Sequence, residues 1–242
     1  MFKSTDLIFN GQNFGDLLYV ESVQRQLVGE RKHNVLRIPG RPGFLHRSTE
    51  IGEKKIIVNV RIIETDRAAV MSKAHTIAGM LHTEVPAKLY TRGDTLYDLA
   101  VLDGNVDIEQ LFSTGHCELE FINYSGLQYG EDVTRSFVSG AEFAIQGTYK
   151  TRGVFTVTFS SSATGLTLTN TTTGQLVKLT GNYIPGNVLT IDCVNESVKL
   201  GANLVMSHID NSVTRFFDLV PGRNAFTYSA GAVSLTYTPR YI

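Results

Sequence analysis

The side chains able to do chemistry in this 242-residue chain are few and scattered. Its six histidines are His33, His46, His75, His82, His116 and His208, and they follow no metal-binding spacing. His75 and His82 are seven apart in a helical stretch and share a face, but two turns separate them by about 10.5 Å, too far to hold one ion side by side. Asp103 and Asp107 flank a Gly-Asn turn. Paired carboxylates can do acid/base work, although acidic turn residues are far commoner. There is no phosphate-binding P-loop, no Gly-x-Ser-x-Gly and no His-Glu-x-x-His. The residues point to a protein that is not an enzyme and carries no catalytic residue, metal or cofactor.

Cys117 and Cys193 are the only cysteines, each inside an alternating apolar stretch (HCELEFI and LTIDCV). That pattern predicts buried, reduced thiols rather than a disulfide or a metal site. Sugar binding in β-rich folds usually rests on an aromatic platform, and the chain has no Trp. Tyr149, Tyr183 and Tyr237 remain as stacking candidates but form no constellation. The formal net charge of -1 suggests neither a nucleic-acid nor a membrane partner. No apolar run approaches the roughly 20 residues of a spanning helix. MFKSTDLIFNGQNF has no apolar signal-peptide core, so the chain is expected to fold in a cytoplasm.

The one segment with concentrated charge is residues 29–55, GERKHNVLRIPGRPGFLHRSTEIGEKK. It is polar and short of core residues, and Pro39-Gly40 and Pro42-Gly43 mark a turn or irregular tip. About 25 residues without an apolar face are unusual inside a compact domain and suggest a functional arm. Arg31, Lys32, Arg37, Arg41, Arg47, Lys54 and Lys55 could contact phosphates. Glu30, Glu50 and Glu53 interrupt them, and Phe44 is the only aromatic available for stacking. A solvated or partner-facing arm over 31–55 is the better reading.

The elements around the arm are mostly strands. Asn10-Gly11 is a favoured hairpin pair. In IIVNVRII, Ile56, Val58, Val60 and Ile62 share one face. The spacing of Val70, Ala74, Ile77, Ala78 and Leu81 predicts a helix over 66–82, capped by Thr65 or Asp66, with Pro86 just beyond it. Charge then thins out: residues 131–242 hold 8 basic and 7 acidic residues, against 30 charged residues before them. Short strand candidates (VFTVTFS, TGLTLTN, GQLVKLTG, NVLTIDCV, ESVKLG, TRFFDLV, NAFTYS, VSLTYTP) separated by Gly and Pro-Gly turns predict an antiparallel sandwich. Two domains, 1–130 and 131–242, are expected to meet near NYSGLQYGED.

Ordered motifs carry a resemblance. IPGRPGFLHRSTEIGEKKIIVNVRII, the helix ending in MLHT, KLYTRGDTLYDLAVLDG and GHCELEFINYSGLQYGED are followed by GNVLTIDCVNESVKLGANLVM. TRFFDLVPGRNAFTYS then presents Phe217, Leu219, Pro221, Gly222 and Asn224 as Phe-x-Leu-x-Pro-Gly-x-Asn. In this order they resemble the distal tail (Dit) family of siphovirus phages and prophages of Gram-positive hosts. Only 137–153 departs from the family pattern.

The resemblance implies a mostly β chain. Its N-terminal domain would be a β-sandwich with one helix and a long hairpin arm, and its C-terminal domain a galectin-like sandwich. It implies a virion structural protein of the tail tip or baseplate, assembled in the host cytoplasm. Six copies would form a ring around the DNA channel, joining the tail tube to the tail-associated (Tal) tip protein and the host-adsorption apparatus, with receptor-binding proteins at the rim. Within the arm, Arg37, Pro39, Gly40, Arg41, Pro42, Gly43 and Phe44 are the expected subunit interface. The competing reading is a soluble carbohydrate-binding, host-recognition module.

Overall fold

The computed structural model describes residues 7–62, 66–104 and 116–242. The chain is mostly β and divides into two compact units, the first running to Tyr129 and the second spanning Gly130–Tyr241.

The first unit begins with a tight hairpin. β1 (Leu7–Phe9) pairs with β2 (Gln12–Asn13) across Asn10 and Gly11, whose φ values of 50° and 73° are those of a primed turn. β3 (Tyr19–Arg25) is followed by β4 (Arg31–Leu36) and β5 (Leu45–Ile51), then β6 (Lys54–Arg61). Helix α1 (Arg67–Leu81) leads to β7 (Ala87–Thr91), β8 (Tyr97–Asp103), β9 (His116–Asn123) and β10 (Gln128–Tyr129). The main sheet runs β2-β1-β7-β8-β9-β6-β3, with β10 also against β8, and its pairs are antiparallel.

Ile56, Val58, Val60 and Ile62 alternate into a core with Phe9, Phe14, Leu119 and Phe121, as period 2 demands. The helix closes this core with Val70, Ala74, Ile77 and Leu81. Asp66 caps it by accepting from the Ala69 amide at 3.1 Å, while Thr65 lies outside the described residues. Ala78 corrects the expected stripe: it is exposed, and Met80 packs against the core instead.

The second unit is a two-sheet sandwich. Its strands are β11 (Val133–Phe137), β12 (Ala141–Ile145), β13 (Gly153–Thr158), β14 (Ala163–Asn170), β15 (Gln175–Tyr183), β16 (Val188–Asp192), β17 (Ser197–Leu200), β18 (Asn203–Leu204), β19 (Gly222–Tyr228) and β20 (Ala232–Tyr237). One sheet is ordered β11-β20-β13-β16-β17-β18 and the other β12-β19-β14-β15. One buried cluster, including Phe143, Phe155, Val157, Leu168, Leu179, Ile191, Phe217, Phe226 and Leu235, fills the space they share.

Two sequence expectations change here. β12 arises in the stretch that departs from the family pattern, β11 ends where that stretch begins, and each is an edge strand of its sheet. TRFFDLV is not a strand, although Phe217 and Leu219 are fully buried. Its backbone is shared between partners: the Arg215 amide donates to Leu176 O at 2.8 Å, while Leu219 exchanges bonds with Thr151 at 2.7 and 3.0 Å. No single ladder forms.

The family-like signature has a local physical basis. Gly222 has φ of 87°, a conformation glycine adopts without a side-chain penalty. Buried Asn224 donates from Nδ2 to Val220 O at 2.7 Å and Gly222 O at 3.0 Å, pinning the turn into β19. Asp192 does the same for the β16–β17 turn, accepting from the Val194 and Asn195 amides at 2.8 and 2.9 Å. Burial works against its charge, but these bonds outweigh it and hold the carboxyl below its usual range.

Both cysteines are buried thiols, one in each unit. Burial pushes the Cys193 thiol up to about 12. Since the thiolate is the reactive form, iodoacetamide at neutral pH is expected to leave Cys193 unmodified in the folded chain and to label it once denaturant is added. Peptide mass spectrometry reads this directly, and rapid native labelling would contradict it.

Candidate assembly surface

β4 and β5 pair only with each other, as a two-stranded sheet apart from the rest of the first unit. Residues 31 to 50 are exposed throughout except for half-buried Ile38. A hairpin that buries so little of itself gains no core energy from its own fold. Its strands nonetheless carry apolar side chains: Val35, Leu36 and Leu45 are exposed, and Phe44 is 69% exposed at the tip.

The seven residues singled out from the sequence all lie in the connection between the strands, and all are exposed. Arg41 N donates to Ile38 O at 3.2 Å, closing a turn with Pro39 and Gly40 at its centre. Gly40 has φ of 81°, so Ile38-Pro39-Gly40-Arg41 is the proline-then-glycine sequence that a type II turn requires. Gly43 follows Pro42 with the same φ. Among the described residues neither Arg37 nor Arg41 is in an ion pair.

Two expected arm cations belong elsewhere. Lys54 opens β6 in phase with Ile56 and Val58, so its side chain turns inward and is 1% exposed. Burial lowers its pKa, nearby Asp98 opposes that fall, and Arg25 adds to it. Asp98 is itself held by Asn123 Nδ2 at 2.8 Å and Gln128 Nε2 at 3.0 Å. Lys55, on the opposite face, pairs with Glu120 at 2.6 Å. The arm is therefore the 31–51 hairpin.

The root of the arm was not read from the sequence. Three glycines from separate segments meet there. A Cβ on Gly126 would lie 2.2 Å from Gly52 O and 2.7 Å from Ile51 Cγ2, and one on Gly29 would lie 2.7 Å from Gly52 O. Gly126 also has φ of 64°. The Gly52 amide donates to Glu30 O at 2.6 Å and the Glu30 amide to Glu53 O at 3.1 Å, continuing the pairing down into the body. The signal available was that Gly29 and Gly52 bracket the polar segment.

Elsewhere the proposed chemistry does not assemble. Tyr183 and Tyr237 are core residues at 1% and 4% exposure, so their faces are closed to a sugar. Tyr183 stacks on Phe159 at 4.7 Å between ring centroids. Asp107 lies outside the described residues. His75 and His82 are exposed on α1 and at its C-terminal cap. Among the described residues no helix is long and apolar enough to cross a membrane.

Comparison with known proteins agrees with this architecture. Residues 146–241 match the C-terminal domain of the siphovirus-type tail component family, and residues 13–123 match the phage tail protein RIFT-related domain. No curated protein matches the sequence. Among solved structures, the Dit protein of phage SPP1, described as a paradigm of the hub adsorption apparatus in phages infecting Gram-positive hosts, aligns with a TM-score of 0.85. That alignment has 14% identity and covers 98% of this chain and 99% of that one. The activated phage P2 baseplate aligns more loosely, with a TM-score of 0.49 at 9% identity over 90% of each chain. The likeness to the Dit protein gives the fold, and with two tail-protein domain models matched in order over most of its length, this chain belongs to the siphovirus-type tail component family.

Proposed function

We propose that the chain is a non-enzymatic ring subunit at the tip of a siphovirus tail. Six copies close head to tail, joining the tail tube on one side to the tail-associated tip protein on the other and offering receptor-binding proteins a rim. The observation that carries this reading is the 31–51 hairpin, which is exposed almost throughout yet bears Val35, Leu36, Phe44 and Leu45. Exposed apolar side chains on an element with no core of its own are suited to burial against another chain. A hairpin of one copy lying on the body of the next gives a heterologous contact, the kind that closes into rings when its rotation allows. Arg37 and Arg41 then supply charge-assisted bonds to carboxylates of the neighbour.

Light scattering on the purified chain tests this. The full chain is expected to run as a hexamer, and a variant with residues 36–48 replaced by a two-residue turn as a folded monomer. Hexamers that persist after the truncation would remove the arm from the interface.

A further inference from the structure

The hairpin carries His33 and His46, and a β-bulge sets them on one face. The register runs His33↔Thr49 and Asn34↔Ser48, then shifts so that Val35 lies opposite His46 and Arg47 is left over. Side chains alternate along a strand, so in an unbroken ladder His46, three residues before Thr49, would point to the opposite face. The extra residue reverses that alternation. As a result the two imidazoles lie 5.7 Å apart between centroids, edge to face.

Both rings direct a nitrogen at the same atom. His33 Nδ1 is 3.0 Å and His46 Nε2 2.8 Å from Thr49 Oγ1. A hydroxyl has one proton and two acceptor lone pairs, so Thr49 can donate to one ring at most and accepts from any other. The two nitrogens thus converge on a single point at an open surface, no further apart than those two distances combined. Convergent neutral imidazole nitrogens are ligands for a divalent transition cation, with bonds of about 2.0–2.1 Å for zinc.

We propose that His33 and His46 form a two-imidazole site for a divalent transition cation of the zinc class, assembled by the bulge at Arg47. Small rotations of the two rings take their nitrogens from the Thr49 hydroxyl to the ion. Glu50 is not part of the site: it accepts from Asn34 Nδ2 at 2.8 Å, one position out of phase with His33 and Thr49. Among the described residues no group of three or more His, Cys, Asp or Glu is poised for a metal. The site therefore offers two protein ligands and leaves the other positions to water, which gives weaker binding than a closed four-ligand centre. Both protein ligands come from one hairpin.

Calorimetric titration of the purified full-length chain with zinc chloride at neutral pH tests this. One ion per chain is expected. His33→Ala and His46→Ala, both at exposed positions, are each expected to weaken binding at least about tenfold, while His75→Ala on the helix leaves it unchanged. Absence of binding, or binding that survives both arm substitutions, overturns the proposal.

Discussion

Phe226→Ala is expected to remove roughly 3–5 kcal/mol from the stability of the second unit. Phe226 has no exposed surface and sits where the two sheets meet. Its ring centroid lies 5.5 Å from Phe137, 5.3 Å from Phe143, 5.8 Å from Phe155 and 6.5 Å from Phe217. These partners come from β11, β12, β13 and the irregular segment before β19, so one truncation opens a void against four parts of the sandwich. Neighbouring strands fix the backbone on both sides, since β19 pairs with β12 and β14. Collapse into the void is therefore limited, and the cost belongs at the upper part of the large-to-small range. Urea unfolding followed by tyrosine fluorescence and near-ultraviolet circular dichroism measures it. A loss under about 1 kcal/mol would show that the aromatic cluster is not the keystone of this unit.

The same cluster shows what a sequence discloses and what it hides. Period-2 alternation found β6 and β9, because Ile56, Val58 and Val60 and then Cys117, Leu119 and Phe121 are buried in alternation with more exposed neighbours, an alternation that breaks only at the end of β9, where Ile122 is buried as well. Helical spacing with Asp66 in front and Pro86 behind found α1 within a residue at each end. β11 escaped because it is an edge strand whose Thr134, Arg135 and Ser136 are all exposed. TRFFDLV misled in the other direction: from Phe216 to Val220 buried Phe217 and Leu219 alternate with more exposed neighbours as in a strand, but alternation reports which side faces the core, not whether a ladder partner exists. Lys54 was assigned to the arm by its charge, whereas its phase with Ile56 already placed it on the core face. The tip of the arm was legible because Pro-Gly pairs have few other uses. Its histidines seemed scattered, because the bulge that brings His33 and His46 together changes a register, and no local residue pattern announces it.

Gly126→Val is expected to cost roughly 2–5 kcal/mol and to disturb assembly as well as folding. Two independent penalties coincide at this position. A β-branched residue at φ of 64° is held in a region that only glycine occupies freely. Its Cβ would also lie 2.2 Å from the carbonyl oxygen of Gly52, a backbone atom that cannot rotate aside. The strain can be relieved from either side. If the 123–127 turn gives way, it disturbs the bonds from Asn123 Nδ2 to Leu127 O at 2.7 Å and to Asp98 at 2.8 Å, deep in the first unit. If the arm gives way, Gly52 must move, and with it the base of the hairpin, where the Gly52 amide donates to Glu30 O. The first route lowers the unfolding midpoint, and the second changes the direction in which residues 31–51 project. Urea unfolding and light scattering on one preparation separate them. Loss of the proposed hexamer with a near-normal midpoint identifies the glycine contact as the part that aims the arm. A hexamer that survives together with an unchanged midpoint would mean the three-glycine contact constrains neither the fold nor the ring.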